Sequence, residues 1–169
     1  MNEQIISVTE PDYDREKLTR FWQPSEQLLK NIRLYQKYKQ KENCIALFIS
    51  KIYVFKHRFW SVVTGADIPL NSQLGGGLLI PHPNGIVIHP KAVIGPNCLI
   101  FQQVTIGARD GGIPVIGGHV DIGAGAKIIG NVNIGNHVRI GANSVVLKSV
   151  PDNCTVVGIP ARIIKNDTE

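Results

Sequence analysis

From Ile68 onward the chain keeps a period of six residues. Aliphatic side chains fill Ile68, Leu74, Ile80, Ile88, Ile94, Ile100, Ile106, Ile116, Ile122, Ile128, Ile134, Ile140, Val146, Val157 and Ile163. Most steps are six residues; the steps 80 to 88, 106 to 116 and 146 to 157 are longer. A helix repeats near 3.6 residues and a strand alternates at two, so neither holds this phase for nearly a hundred residues. A β-helix of hexapeptide repeats does: each rung is a short strand and a turn, and three rungs make one coil. The slot residue points inward and stacks on its equivalents in the coils above and below. No rung buries its apolar face alone, so only the stack is stable. Glycine follows many slots (Gly75, Gly95, Gly107, Gly117, Gly123, Gly135, Gly141 and Gly158), where the turns leave little room for a Cβ. Small or β-branched residues recur four places after the slot, at Ala92, Val104, Val120, Ala126, Val132, Val138 and Ser144.

The region before Gly65 has a different grammar. All 17 glycines lie at or after Gly65, and a break this sharp marks a boundary. We divide the chain into a helical N-terminal segment, 1–64, and a repeat domain, 65–169. In the first, apolar residues recur at helical spacing: Leu28, Leu29, Ile32 and Tyr35, then Ile45, Leu47, Phe48, Ile52, Phe55, Phe59 and Val62. This predicts helices over 25–41 and 43–62, with Ser25 as an N-cap candidate and residues 1–12 loose.

At 169 residues and 18% charged side chains the chain reads as globular. No apolar run reaches a membrane span, and the acidic start "MNEQIISVTEPDYDRE" lacks a signal-peptide core, so a cytoplasmic location is expected. Cys44, Cys98 and Cys154 follow no CxxC spacing and read as free thiols. Net charge is +5, with the basic excess before residue 67. No basic motif interleaved with aromatics argues for nucleic acid. Packing across the end of the β-helix, which needs a cap, is the first expectation for the helices. Their Lys and Arg residues and Trp60 leave peripheral contact with a membrane open.

Folding the chain by phase, three rungs to a coil, places His82, Gln102, Ala124 and Ala142 in one column. A groove along it has a reactive group at one end and room for a long, thin ligand beyond. Asp67 precedes His82 by fifteen residues in a coil of eighteen, so the two fall near one edge. A carboxylate that holds one imidazole nitrogen leaves the other free to take a proton. His119 and His137, eighteen residues apart, should stack on adjacent coils like a pair of metal ligands, but no third histidine shares their phase. His89 reads as a surface turn residue, and no metal is expected.

The stretches "GADIP", "HPNGIVI", "QQVTIG", "GAGAKIIGNV", "IGANSVVL" and "GIPARII" within residues 65–164 resemble the serine acetyltransferase branch of the hexapeptide-repeat acyltransferases. The resemblance implies a left-handed β-helix, a homotrimer and acetyl-CoA as co-substrate. It implies a catalytic dyad of His82 and Asp67, in which His82 takes the proton of an acceptor hydroxyl and Asp67 fixes the tautomer. It places CoA along Gly107, Ala108, Ala124, Arg139 and Ala142, with Pro160 and Arg162 closing over it. A backbone N–H near Gly107 is a candidate donor to the oxyanion.

The chain also departs from that branch. Pro81 stands where serine acetyltransferases carry an acidic residue. In the loop "RDGGIPVI", Gly112 and Ile113 replace an Arg-His pair. Those charged groups grip the amino acid's ammonium and carboxylate. The N-terminal segment is short, basic and aromatic-rich, as in relatives that acetylate sugars in capsule or exopolysaccharide assembly. The expected acceptor is therefore a saccharide hydroxyl, with L-serine as the alternative. A non-catalytic trimeric scaffold and a metal-dependent β-helix enzyme are the readings from other classes.

Overall fold

A computed structural model describes residues 6–20, 22–41 and 43–166. Two helices, α1 (Pro24–Lys39) and α2 (Cys44–Thr64), precede a solenoid of about five coils, a left-handed parallel β-helix. Its first sheet contains β2 (Val87–Ile88), β5 (Thr105–Gly107), β8 (Lys127–Ile129) and β11 (Val145–Val146). The second contains β1 (Gln73–Leu74), β3 (Val93–Ile94), β6 (Val115–Ile116) and β9 (Asn133–Ile134). The third contains β4 (Leu99–Ile100), β7 (Asp121–Ile122), β10 (Arg139–Ile140), β12 (Cys154–Gly158) and β13 (Ala161–Asn166). Isolated bridges from Asp67 to Val87 and from Leu79 to Leu99 add the first coil to the first and third sheets.

The register follows the six-residue period. Ile88, Ile106, Ile128 and Val146 stack in one column, Leu74, Ile94, Ile116 and Ile134 in another, and Ile100, Ile122, Ile140 and Val156 in the third. All thirteen slots from Ile68 to Val146 are buried. Burying such a side chain contributes about 2 kcal/mol, and the column repeats that gain at every coil. Beyond Val146 the expected phase fails. The next inward residues are Val150, which bridges to Ile134, and Val156; Val157 is only half-buried. Ile163 is 51% exposed, because β13 folds back antiparallel on β12 as a closing hairpin instead of adding a rung.

Helix α1 lies against the first coil. Leu28, Leu29 and Ile32 belong to the same core as Ile68 and Leu74. The Gln36 amide donates to the carbonyls of Leu70 (2.9 Å) and Ser72 (3.0 Å), and Arg33 donates to those of Leu74 and Gly75. These bonds occupy carbonyls at the open end of the stack, which otherwise lack a coil to pair with. The cap of α1 is Gln23, with Pro24 in the first turn; Ser25 sits inside the helix and is buried. Gln23 Oε1 instead accepts from the Thr19 and Arg20 amides, both at 2.7 Å. Helix α2 starts at Asn43, whose side chain accepts from the Ala46 amide, and ends at Gly65, which takes a left-handed φ of 65°.

Residues 7–12 are tied down, contrary to the loose N-terminus expected; residues 1–5 lie outside the described residues. Asn97 is fully buried at the corner between the second and third sheets. Its Oδ1 accepts from the Asp12 amide (2.8 Å), and its Nδ2 donates to the carbonyls of Ser7 (2.7 Å) and Glu10 (2.8 Å). Glu16 continues the strap upward, accepting from the Leu78 amide and pairing with Arg33 at 2.9 Å. The three cysteines are free thiols, and burial pushes that of Cys98 up to about 11.

Candidate active site

The third corner, where the chain leaves the third sheet and enters the first, carries the predicted dyad. Gly85 donates its amide to Gly65 O at 2.9 Å, and Asp67 donates its amide to Ile86 O at 2.8 Å. The loop holding His82 therefore lies alongside the strand holding Asp67. A Cβ on Gly65 would come within 3.0 Å of the Asn84 amide nitrogen, so glycine at 65 lets the two segments close. Asp67 and His82 are both exposed. Among the described residues no hydrogen bond or ion pair joins their side chains; the backbone juxtaposes the segments and leaves both groups open to a ligand.

The eight-residue step from Ile80 to Ile88 displaces His82 from the column expected for it. At this corner Gln103 donates its amide to Asn84 O, Gly125 to Gln102 O and Asn143 to Ala124 O, at 2.8 to 2.9 Å. The aligned column is thus Asn84, Gln102, Ala124 and Ala142, and His82 stands in the bulge above it. Proline on either side, at 81 and 83, restricts the backbone there.

Gln102 gains a significance that spacing did not give it. Its Oε1 is buried and accepts no hydrogen bond. An unpaired buried carbonyl is costly, about 1–3 kcal/mol, and this one stands in the column directly below Asn84. Residue type alone carried no such signal; only burial does.

The other predicted residues form two lines rather than one. Ala124 and Ala142 stack at the third corner, with Arg139 exposed on β10 nearby. Gly107 and Ala108 lie at the far edge of the first sheet, where β5 leaves for the second. Within one copy Gly107 is one coil below the rung that His82 leads into and at the opposite edge of the first sheet, so its N–H is not at hand for an oxyanion there. Pro160 and Arg162 border a groove of about 620 Å3 beside the last coil, together with Leu147, Lys148 and Ala161. Lys148 and Arg162 give that groove a positive lining suited to phosphates.

The loop after β5 closes as a tight hairpin. Arg109 and Gly112 exchange both amide bonds, and Asp110 (φ 51°) and Gly111 (φ 78°) take the left-handed turn that Asp-Gly favours. This hairpin occupies the place where an Arg-His pair was expected to be missing, and it ends at Ile113, which packs on the core.

His119 and His137 do stack, Nδ1 to Nδ1 at 2.7 Å, with rings edge to face. No group of three or more His, Cys, Asp or Glu that could hold a metal occurs among the described residues. His89 accepts from the Lys91 amide in a turn.

The chain is 49% identical over 107 residues to a serine acetyltransferase of Synechococcus elongatus, covering 61% of this chain and 44% of that protein. It is 44% identical over 137 residues to that of Staphylococcus xylosus, covering 79% and 60%. Among solved structures, Neisseria gonorrhoeae serine acetyltransferase in complex with serine superposes with a TM-score of 0.67 at 36% identity, covering 84% of this chain and 55% of that one. A serine acetyltransferase in complex with CoA gives 0.71 at 33% identity, covering 85% and 58%. The chain spans about half the length of the relatives it matches. No family model matches it.

Proposed function

We propose that this chain is a serine acetyltransferase-like hexapeptide-repeat protein and, as such, an acetyl-CoA-dependent O-acetyltransferase acting on a small hydroxyl substrate. The observation that carries the reading is the placing of Asp67 and His82 on facing segments at one corner, both open to a ligand. His82 takes the proton of the acceptor hydroxyl, whose oxygen attacks the thioester carbonyl. The tetrahedral intermediate collapses, the C–S bond breaks, and the imidazolium returns its proton to the departing CoA thiolate. Asp67 orients the ring and stabilises its cation. Acetyl-CoA is a substrate in this reaction, which requires no metal.

The two lines of cofactor residues bear on assembly. Ala124 and Ala142 at one edge of the first sheet, and Gly107 and Ala108 at the other, serve one ligand when two copies bracket it, which favours a homotrimer. Gln102 Oε1 then accepts from an amide of the pantetheine arm or from the acceptor. Lys148, Arg162 and Pro160 flank the phosphates.

For the acceptor, the comparisons favour L-serine over the saccharide hydroxyl expected from the sequence: the relatives above are serine acetyltransferases, one of them in complex with serine. The second reading, a saccharide hydroxyl, is favoured by Pro81, Gly112 and Ile113, which leave no charged group to grip an amino acid at those places. Release of CoA thiol from acetyl-CoA, measured with L-serine and with a panel of sugars and UDP-sugars, separates the two. Turnover with L-serine alone supports the first, and turnover with a sugar alone supports the second. No turnover with any acceptor, together with no saturable binding of acetyl-CoA, overturns both.

A further inference from the structure

Helix α2 is turned inside out for a helix of a water-soluble domain. Its buried residues are small or polar: Ala46, Ser50 and Thr64. Its large apolar residues face solvent: Ile45 is 74% exposed, Phe48 67%, Phe55 73%, Phe59 56% and Val62 84%. At 3.6 residues per turn these five, with Ile52 and Val63, fall in one stripe roughly 100° wide. Lys51 and Arg58 border the stripe on one side and Lys56 on the other, and all three are exposed. No Asp or Glu occurs anywhere in α2. At one end of the helix Trp22, 61% exposed, stands against Trp60 with ring centroids 5.5 Å apart.

We propose that this face of α2 docks the protein on an anionic lipid bilayer, with the helix axis in the plane of the headgroups. An apolar stripe edged on both sides by long cations suits that position: the aromatic and aliphatic side chains enter the acyl boundary while Lys and Arg reach back to the phosphates. Tryptophan favours the same depth. No helix among the described residues is long and apolar enough to cross a membrane, so α2 lies on the surface. Charge decides against a second copy of the chain as the occupant. Pairing two such stripes would bring Lys51, Lys56 and Arg58 of both copies together, with no carboxylate on either α2 to neutralise them. A lipid surface rich in phosphate supplies the missing anions.

The proposal is independent of the acetyl-transfer reading and is tested without catalysis. Full-length protein is floated with vesicles of phosphatidylcholine alone and of equimolar phosphatidylcholine and phosphatidylglycerol, at low and high salt. The expected result is flotation with the anionic vesicles, at least about tenfold weaker with the neutral ones and weakened by salt. Phe55→Asp with Phe59→Asp, and separately Lys51→Glu with Lys56→Glu, should each lower binding about tenfold while circular dichroism stays unchanged, since all four positions are exposed. Absence of flotation overturns the proposal. So does binding that neither pair of substitutions weakens. So does a wild-type particle that fails to float and that falls apart into smaller species, by sedimentation, in the phenylalanine variant; the stripe would then join copies of the chain.

Discussion

His119 and His137 meet Nδ1 to Nδ1 at 2.7 Å, on consecutive coils and with left-handed φ values of 52° and 56°. At that distance one ring donates and the other accepts, so the accepting nitrogen carries no proton and the two rings cannot both be protonated there. Burial lowers the pKa of His119, Asp121 opposes the shift, and the neighbouring His137, Arg15 and Arg139 add to it.

A stability profile follows from that contact. A histidine with a depressed folded pKa binds fewer protons folded than unfolded, so stability rises with pH. The contribution is complete above the ordinary value of 6.5 and is lost as pH falls below it toward the folded pKa. Thermal unfolding at pH 7.5 and 5.5 should show a lower Tm in acid. His119→Asn, a residue that tolerates a left-handed backbone, should reduce that loss. An equal acid loss in the variant would refute the assignment.

Asn97 anchors the N-terminal strap by three side-chain hydrogen bonds and holds φ at 61°. Asn97→Gly keeps the backbone and removes the bonds; Asn97→Ala removes the bonds and strains the backbone. Destabilisation of about 2 kcal/mol for glycine and about 3 for alanine is expected from denaturant unfolding. Limited proteolysis should then cut first within residues 7–12. A glycine variant as resistant as the wild type would mean that the strap is held elsewhere.

That strap was invisible in the sequence because its order comes from one buried amide bonding to backbone, and backbone bonding leaves no apolar period to read. The solenoid was legible for the opposite reason: each coil repeats the same burial, so thirteen slots announce one phase. The phase broke where a step of four, from Val146 to Val150, follows a run of sixes; counting onward picked Val157 in place of the buried Val156. The same arithmetic put His82 in the column that Asn84 heads. Asp67 and His82 could be named from a motif, whereas Gln102 could not, since its unpaired carbonyl appears only once burial is known.

Glycines at the second corner should differ sharply from the one at the hairpin tip. A Cβ on Gly95 would fall 2.4 Å from the Gly117 backbone, whereas one on Gly111 meets nothing within 4 Å. Gly95→Ala has to push two coils apart, against backbone that cannot yield, and should cost about 3 kcal/mol or prevent folding. Gly111→Asn, with φ at 78°, should cost under about 1 kcal/mol. Unfolding midpoints of the two variants test this, and equal losses would contradict the close stacking of coils.

Catalysis and stability should separate at the third corner. His82→Ala removes the general base and should lower kcat/KM about 10²–10⁴-fold. Asp67→Asn keeps the shape while losing the charge that fixes the ring, and should lower it about a hundredfold or more. Both side chains are exposed, so neither change should move Tm appreciably. Gln102→Leu is the sharper probe. In the free protein its carbonyl has no partner to lose, so apolar replacement should leave Tm level or raise it. A fall in activity at unchanged Tm, carried mainly by KM for acetyl-CoA or for the acceptor, identifies which ligand supplies the missing donor. If Gln102→Leu instead loses stability and keeps full activity, the carbonyl serves the coil and not the ligand.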